Sequence, residues 1–236
     1  MFDYKSFEEI LSEIKSFNYN FLRFDENSRQ GNIIYLRHDV DISPRAAKVL
    51  AEIEHSLGIK SNFFFQIDTD TYNIFSLESL SIIKQLRSFG HLVGLHINEL
   101  LLDPAPQKIY PTLKWFNECI TAIDFAISYH RPSLSVLNEE NGLFLSSYQN
   151  RFFSPETYLS DSRRNADFYP QLVAYLRDGR SPLQLLLHPC WWYPEQDPVK
   201  FKNILIRRRK LELKSYLNKN FPKYMGGEDE DCVIGL

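Results

Sequence analysis

The sequence predicts an α/β fold: an irregular, incomplete β/α barrel with a mostly parallel sheet. Three observations lead there. Short apolar runs of strand length alternate with helical periods, leaving little room for hairpins. About six or seven strand–helix units fit into the length, short of the eight of a closed barrel. Chemically active side chains fall just past the predicted strands, on the rim where β/α barrels assemble their sites. The 236 residues are read as one domain, with a loose acidic tail over 225–236.

The elements follow in order. Phe7, Ile10, Leu11, Ile14 and Phe17 share one face of an opening helix. Ile33–Leu36 reads as a buried strand running into Arg37-His38-Asp39-Val40-Asp41. Ser43 and Pro44 then read as N-cap and first helical residue, and Gly58 closes the helix that buries Val49, Leu50, Ile53 and Leu57. Asn62–Ile67 is the second strand, Ser76–Phe89 a helix stopped by Gly90, and Leu92–Leu95 a strand ending at His96. A proline-broken loop leads to a helix over Leu113–Ile123 and a strand, Phe125–Tyr129, ending at His130. Ser133–Asn150 has no readable period. Tyr158–Ser160 is a short strand, Gln171–Asp178 a helix, Gln184–Leu187 a strand ending at His188, and Val199–Asn218 a long last helix.

Bulk properties exclude several classes. An apolar share of 44% and a charged share of 24% are those of a globular chain. A net charge of −3 argues against nucleic acid, whose binders carry a basic face. Cys119, Cys190 and Cys232 are scattered, with no CxxC pair, so neither a zinc knuckle nor a disulfide framework is expected. Residues 1–17 lack the apolar run of a signal peptide, and no stretch reaches membrane-spanning length. The expected compartment is the cytoplasm.

Asp39 and Asp41 leave a strand two residues apart, so that one can bind a metal while the other acts as a base; loop carboxylates are also often merely solvated. His96, His130 and His188 each end a predicted strand. Arg131 precedes Pro132, which fixes the turn, and its guanidinium can clamp a carboxylate. The run Leu185-Leu186-Leu187 delivers His188 to the lip of an apolar cleft, where an imidazole can protonate a leaving group. Trp191 and Trp192 are candidates to line that cleft, and Asp161 to orient a histidine. His91, at a strand entrance, reads as a packing residue on the opposite rim, and His55 as helix surface.

In this order the segments resemble the polysaccharide-deacetylase (NodB-like) superfamily, closest to a divergent intracellular branch with an Arg-His-Asp-x-Asp motif. The resemblance runs from about Ile33 to Trp192. It implies hydrolysis of an amide or ester by metal-activated water, with Asp39 as general base and Asp41 as first metal ligand. His96 matches the first histidine of a His-x-x-x-His pair, Arg131 the arginine that holds the base, Asp161 the aspartate that tunes the catalytic histidine, and His188 that general acid. Leu100 stands where the second histidine belongs. His130 is the candidate third ligand, with Glu99 and Asn98 as alternatives. An aspartate and two imidazoles suit a divalent metal, zinc first.

The expected function is therefore a metal-dependent deacylase acting on a small, nucleotide-linked or lipid-linked sugar of surface-polysaccharide biosynthesis. Arg131 or Arg37 steadies Asp39, and Arg37, Trp191 and Trp192 are the candidates toward substrate. Two rivals are a non-catalytic relative that binds a glycan or a partner protein, suggested by Leu100, and an Asp-x-Asp glycosyltransferase.

Overall fold

The computed structural model describes residues 2–27, 30–195 and 197–222, so the tail read over 225–236, and Cys232 with it, lies outside the described residues. The chain divides into two compact units, Met1–Pro194 and Glu195–Leu236.

Helix α1 (Tyr4–Ser16) starts at Asp3, whose carboxylate accepts the Ser6 N–H, and it buries Phe7, Ile10, Leu11 and Ile14. Strands β1 (Tyr19–Phe21) and β2 (Asn32–Val40) follow, then α2 (Pro44–Ser56), capped by Ser43 with Pro44 in its first turn. Next come β3 (Asn62–Gln66), α3 (Leu77–Ser88), β4 (Leu92–Asn98), α4 (Pro106–Cys119), β5 (Ala126–His130) and the short β6 (Leu145–Ser146). The first unit ends with β7 (Tyr158–Ser160), α5 (Phe168–Arg177), β8 (Leu183–Leu187) and a 3-10 turn over Pro189–Trp192. The second unit carries α6 (Pro198–Asn220).

Every strand pair is parallel, and the order is β6-β5-β4-β3-β2-β8-β7, with β1 paired to the start of β2. The sheet curls into a half-barrel whose edges, among the described residues, are β6 and β7. Successive side chains of a strand point to opposite faces. Outward residues such as Leu36, Phe63, Val93, Ile127 and Leu185 build two cores beneath the helices. Inward residues Tyr35, Phe64, Leu92 and Ala126 pack with Phe24 and Phe152 inside the curl. The same inward series, continued toward the strand ends, carries Arg37, Asp39, His96, Ser128, His130, Gln184 and His188.

Two strands are longer than their apolar runs. Pairing continues through Asp39↔Phe64 and Val40↔Phe65, and through Asn98↔His130, so Asp39 and His96 lie within strands rather than past them. Polar side chains hid those ends, because backbone pairing does not depend on them. Helix α4 begins at Pro106, ahead of the expected Leu113, and keeps Pro111 inside. Pro106 falls where a missing N–H is harmless, and Pro111 forfeits one helix hydrogen bond. In α2, Leu50 is buried, but Val49, Ile53 and Leu57 are half-buried, and Glu54 is buried instead. Cys119 and Cys190 are free thiols.

Gly94 has a clear role. A Cβ there would lie 2.1 Å from the Ala126 carbonyl oxygen and 3.0 Å from the Phe64 ring. Gly94→Ala is thus expected to force β4 and β5 apart and cost about 3 kcal/mol or more. A thermal melt checks this, and an unchanged midpoint would exclude so tight an approach.

Candidate active site

The inward series converges at the carboxyl ends of β2, β4, β5 and β8. Arg37 is fully buried and grips Asp39 of its own strand with two parallel bonds, Nε to Oδ1 at 3.0 Å and Nη2 to Oδ2 at 2.6 Å. Its other N–H groups reach Gln184 Oε1 (3.1 Å) and the Tyr148 hydroxyl (3.1 Å). Gln184 is itself fixed by donating to the Ser147 and Phe152 carbonyls. Burial pushes the Asp39 carboxyl upward, but the Arg37 charge and hydrogen bond, joined by the neighbouring His96 and His188, together hold the group well below the usual carboxylate range. Asp39 is an anion with a fixed orientation.

Ser128 donates its hydroxyl to Asp39 Oδ1 (3.0 Å), and its oxygen lies 2.6 Å from His96 Nδ1. With that hydroxyl proton spent on Asp39, His96 must donate from Nδ1, which leaves a lone pair on Nε2. His96 Nε2 faces His130 Nδ1 at 3.2 Å and Asp41 Oδ1 at 3.4 Å. Burial holds His96 down at about 4, and burial followed by the Arg131 charge lowers His130, so both rings are neutral at pH 7. Burial and the Asp39 charge raise Asp41 to about 7.

Asp41, His96 and His130 each offer one ligand atom, and these atoms lie within 4.8 Å of one another. Asp41 Oδ1 is buried without a hydrogen-bond partner among the described residues. Thr69 and Thr71, on the loop after β3, hold the Asp41 carbonyl at 2.8 and 2.7 Å. An orphaned carboxylate oxygen facing two neutral imidazoles fits a divalent cation, which would relieve the cost of that anion.

His188 follows β8 directly. Its Nδ1 lies 2.6 Å from Asp161 Oδ1, its backbone N–H donates to both Asp161 oxygens at 3.0 Å, and Trp192 Nε1 donates to Oδ2 at 3.0 Å. Nε2 points into the site, 3.8 Å from Asp41 Oδ2. Burial opposes the imidazolium, yet the Asp161 hydrogen bond and charge raise His188 to about 9. Its stabilising effect is therefore complete below its ordinary value of 6.5 and lost as pH rises through about 9. In the metal-free protein, Asp161→Asn is expected to lower the His188 titration by about one to three units. The ring-proton signal reads this directly, and an unmoved titration would remove Asp161 from that role.

Several expected positions differ. The arginine on Asp39 is Arg37, so Arg37 cannot face substrate; Arg131 is exposed, with φ of 55° at the turn after β5. Trp192 is fully buried against Phe2 and Phe7, in the core rather than a cleft. Trp191 is half-buried. Leu100 is 95% exposed on the turn after β4, outside the cluster. Glu99 bonds Ser133, and Asn98 caps the Leu100 N–H, so neither joins the ligand atoms. His55 is exposed on α2, stacked on Phe89, and His91 is buried. Ser128, Gln184 and Tyr148 were not read from the sequence. Ser128 sits two residues before His130 and Gln184 four before His188, so strand alternation alone puts both on the inward face.

No protein-family model matches the chain, and no curated protein matches it. Among solved structures it is similar to a peptidoglycan deacetylase of Bdellovibrio bacteriovorus, at 14% identity and a TM-score of 0.45, over 81% of this chain and 53% of that one. It is also similar to the chitin deacetylase of the fungal pathogen Colletotrichum lindemuthianum (13%, 0.44, 80% of this chain and 86% of that one). A third is a CE4 family pseudoenzyme of Bacillus anthracis (14%, 0.42, 78% and 63%). The chain spans about half the length of the Bdellovibrio protein.

Proposed function

We propose that the protein is a metal-dependent hydrolase that removes an N- or O-acyl group from a carbohydrate. One observation carries the reading: three ligand atoms of Asp41, His96 and His130 within 4.8 Å, flanked by an anchored carboxylate, Asp39, and an anchored imidazole, His188. Asp41, His96 and His130 would hold the cation, zinc being suited to one carboxylate and two imidazoles. When bound, it supplies Lewis-acid activation of an acyl carbonyl and of water.

The chain's own groups do the rest. Asp39 takes the proton of the attacking water, and its Oδ2, bonded among the described residues only to Arg37 Nη2, keeps a lone pair for it. Arg37 and Ser128 keep that carboxylate ionised and aimed. His188 holds a proton on Nε2 as well as on Nδ1, because the Asp161 carboxylate on Nδ1 stabilises the imidazolium, and it delivers the Nε2 proton to the departing amine or alkoxide. That the acyl group sits on a small, nucleotide-linked or lipid-linked sugar of surface-polysaccharide biosynthesis rests on the motif resemblance. No helix among the described residues is long and apolar enough to cross a membrane.

The non-catalytic reading rested on Leu100, which lies outside the cluster, while His130 offers a ligand atom in it. An Asp-x-Asp chelate is disfavoured because Asp39 is already held by Arg37 and Ser128. The test is acyl release from N-acetylated oligosaccharides and from aryl acetates. Chelation is expected to lower release by about a hundredfold or more, with recovery on one equivalent of zinc. Release indifferent to chelation would sink the reading.

A further inference from the structure

His38 faces away from the site, on the helix side of β2, and is fully buried. Its Nδ1 lies 3.0 Å from the Leu187 carbonyl oxygen, and its Nε2 lies 2.6 Å from Glu54 Oε1 on α2. A carbonyl only accepts, so Nδ1 carries a proton and the ring's orientation is determined. Glu54, also fully buried, is held in turn by the Ser61 hydroxyl on Oε2. The His38 ring stacks on Phe63 at 4.5 Å.

The carbonyl that His38 grips belongs to the peptide joining Leu187 to His188. The N–H of that same peptide donates to the Asp161 carboxylate. Both polar groups of one peptide plane are thus fastened by side chains, one from β2 and one from the end of β7, the strands that flank β8. The plane beyond β8 is the base on which the His188 ring stands, so its tilt sets where Nε2 points.

We infer that His38 and Glu54 are positioning residues for the general acid: they clamp the Leu187–His188 peptide by its carbonyl, as Asp161 clamps it by its N–H. This rests on the role of His188 proposed above. Neither residue touches the reacting atoms. A misaimed acid should slow reactions in proportion to how much the leaving group needs a proton, a dependence that general loosening of the fold would not produce.

The test compares His38→Asn, whose amide can still donate to the Leu187 carbonyl, with the double variant His38→Leu/Glu54→Gln, which lacks the donor and leaves no unpaired carboxylate. The double variant is expected to lose about a hundredfold in kcat on an acetamido sugar, with KM and bound zinc little changed. On an aryl acetate, whose phenolate leaves unprotonated, the loss should be under about threefold. His38→Asn should recover most of the loss. The His188 amide proton, downfield on its carboxylate, should shift in the double variant and return in His38→Asn, a readout that needs no turnover. Equal losses on both substrates, or an unmoved His188 amide, overturn the clamp. A wild-type protein that cleaves neither substrate while its His188 amide responds as expected refutes the hydrolase reading and leaves the clamp standing.

Discussion

Asp39→Asn is expected to lower kcat by about a thousandfold while leaving the metal content unchanged. Asparagine keeps the shape of the side chain but cannot accept the proton of water. The ligand atoms belong to Asp41, His96 and His130, so metal occupancy should survive. The change has a second consequence, because Arg37 is fully buried and its charge is balanced by Asp39. Leaving that guanidinium uncompensated should cost about 3–5 kcal/mol. Steady-state kinetics, metal analysis and a melt on one preparation separate the two effects. Near-normal turnover would remove Asp39 as the base, and lost zinc would make it a ligand.

Arg37→Met should destabilise the fold by a similar amount, about 3–5 kcal/mol, and also change how stability responds to pH. In the wild type the Asp39 carboxyl sits below its ordinary value, so the stability it confers is present above that value and fades as pH falls through the lower, folded one. Without Arg37 burial loses its main opponent, with the Ser128 hydrogen bond and the nearby histidines left against it, and the Asp39 pKa is expected to rise above the unfolded value. The sign then reverses: the variant loses stability as pH rises through the unfolded value, and the acidic limb of its activity profile moves upward. Arg131→Ala, at an exposed turn, should leave activity within about threefold. A larger loss from Arg131→Ala than from Arg37→Met would return the clamp to Arg131.

How much of this was legible in the sequence depends on what kind of signal each residue leaves. The parallel, incomplete sheet and most helices were legible, because apolar spacing and caps such as Ser43-Pro44 are local. So was the gathering of Asp39, Asp41, His96, His130 and His188 on one rim, since each follows an apolar run. For the partner of Asp39 the sequence leaves Arg131 and Arg37 both open, and the structure selects Arg37. The motif pointed to Arg131 across the sheet, whereas strand alternation puts Arg37 on the same face as Asp39, two residues away. Trp192 read as a cleft residue because its neighbour His188 is one, but the turn after Pro189 directs it into the core. Glu54 left no readable signal: a glutamate on an amphipathic helix ordinarily faces solvent, and only the pairing of His38 with the β8 carbonyl explains its burial.

The central claim is that Asp41, His96 and His130 surround one divalent cation between Asp39 and His188. Anomalous diffraction from zinc-soaked crystals measures this most directly. The expected result is a single peak about 2.0–2.2 Å from Asp41 Oδ1, His96 Nε2 and His130 Nδ1, with Asp39 still on Arg37. A peak on other side chains, or none at full zinc occupancy in solution, would show the cluster to be a hydrogen-bonded network and not a metal centre.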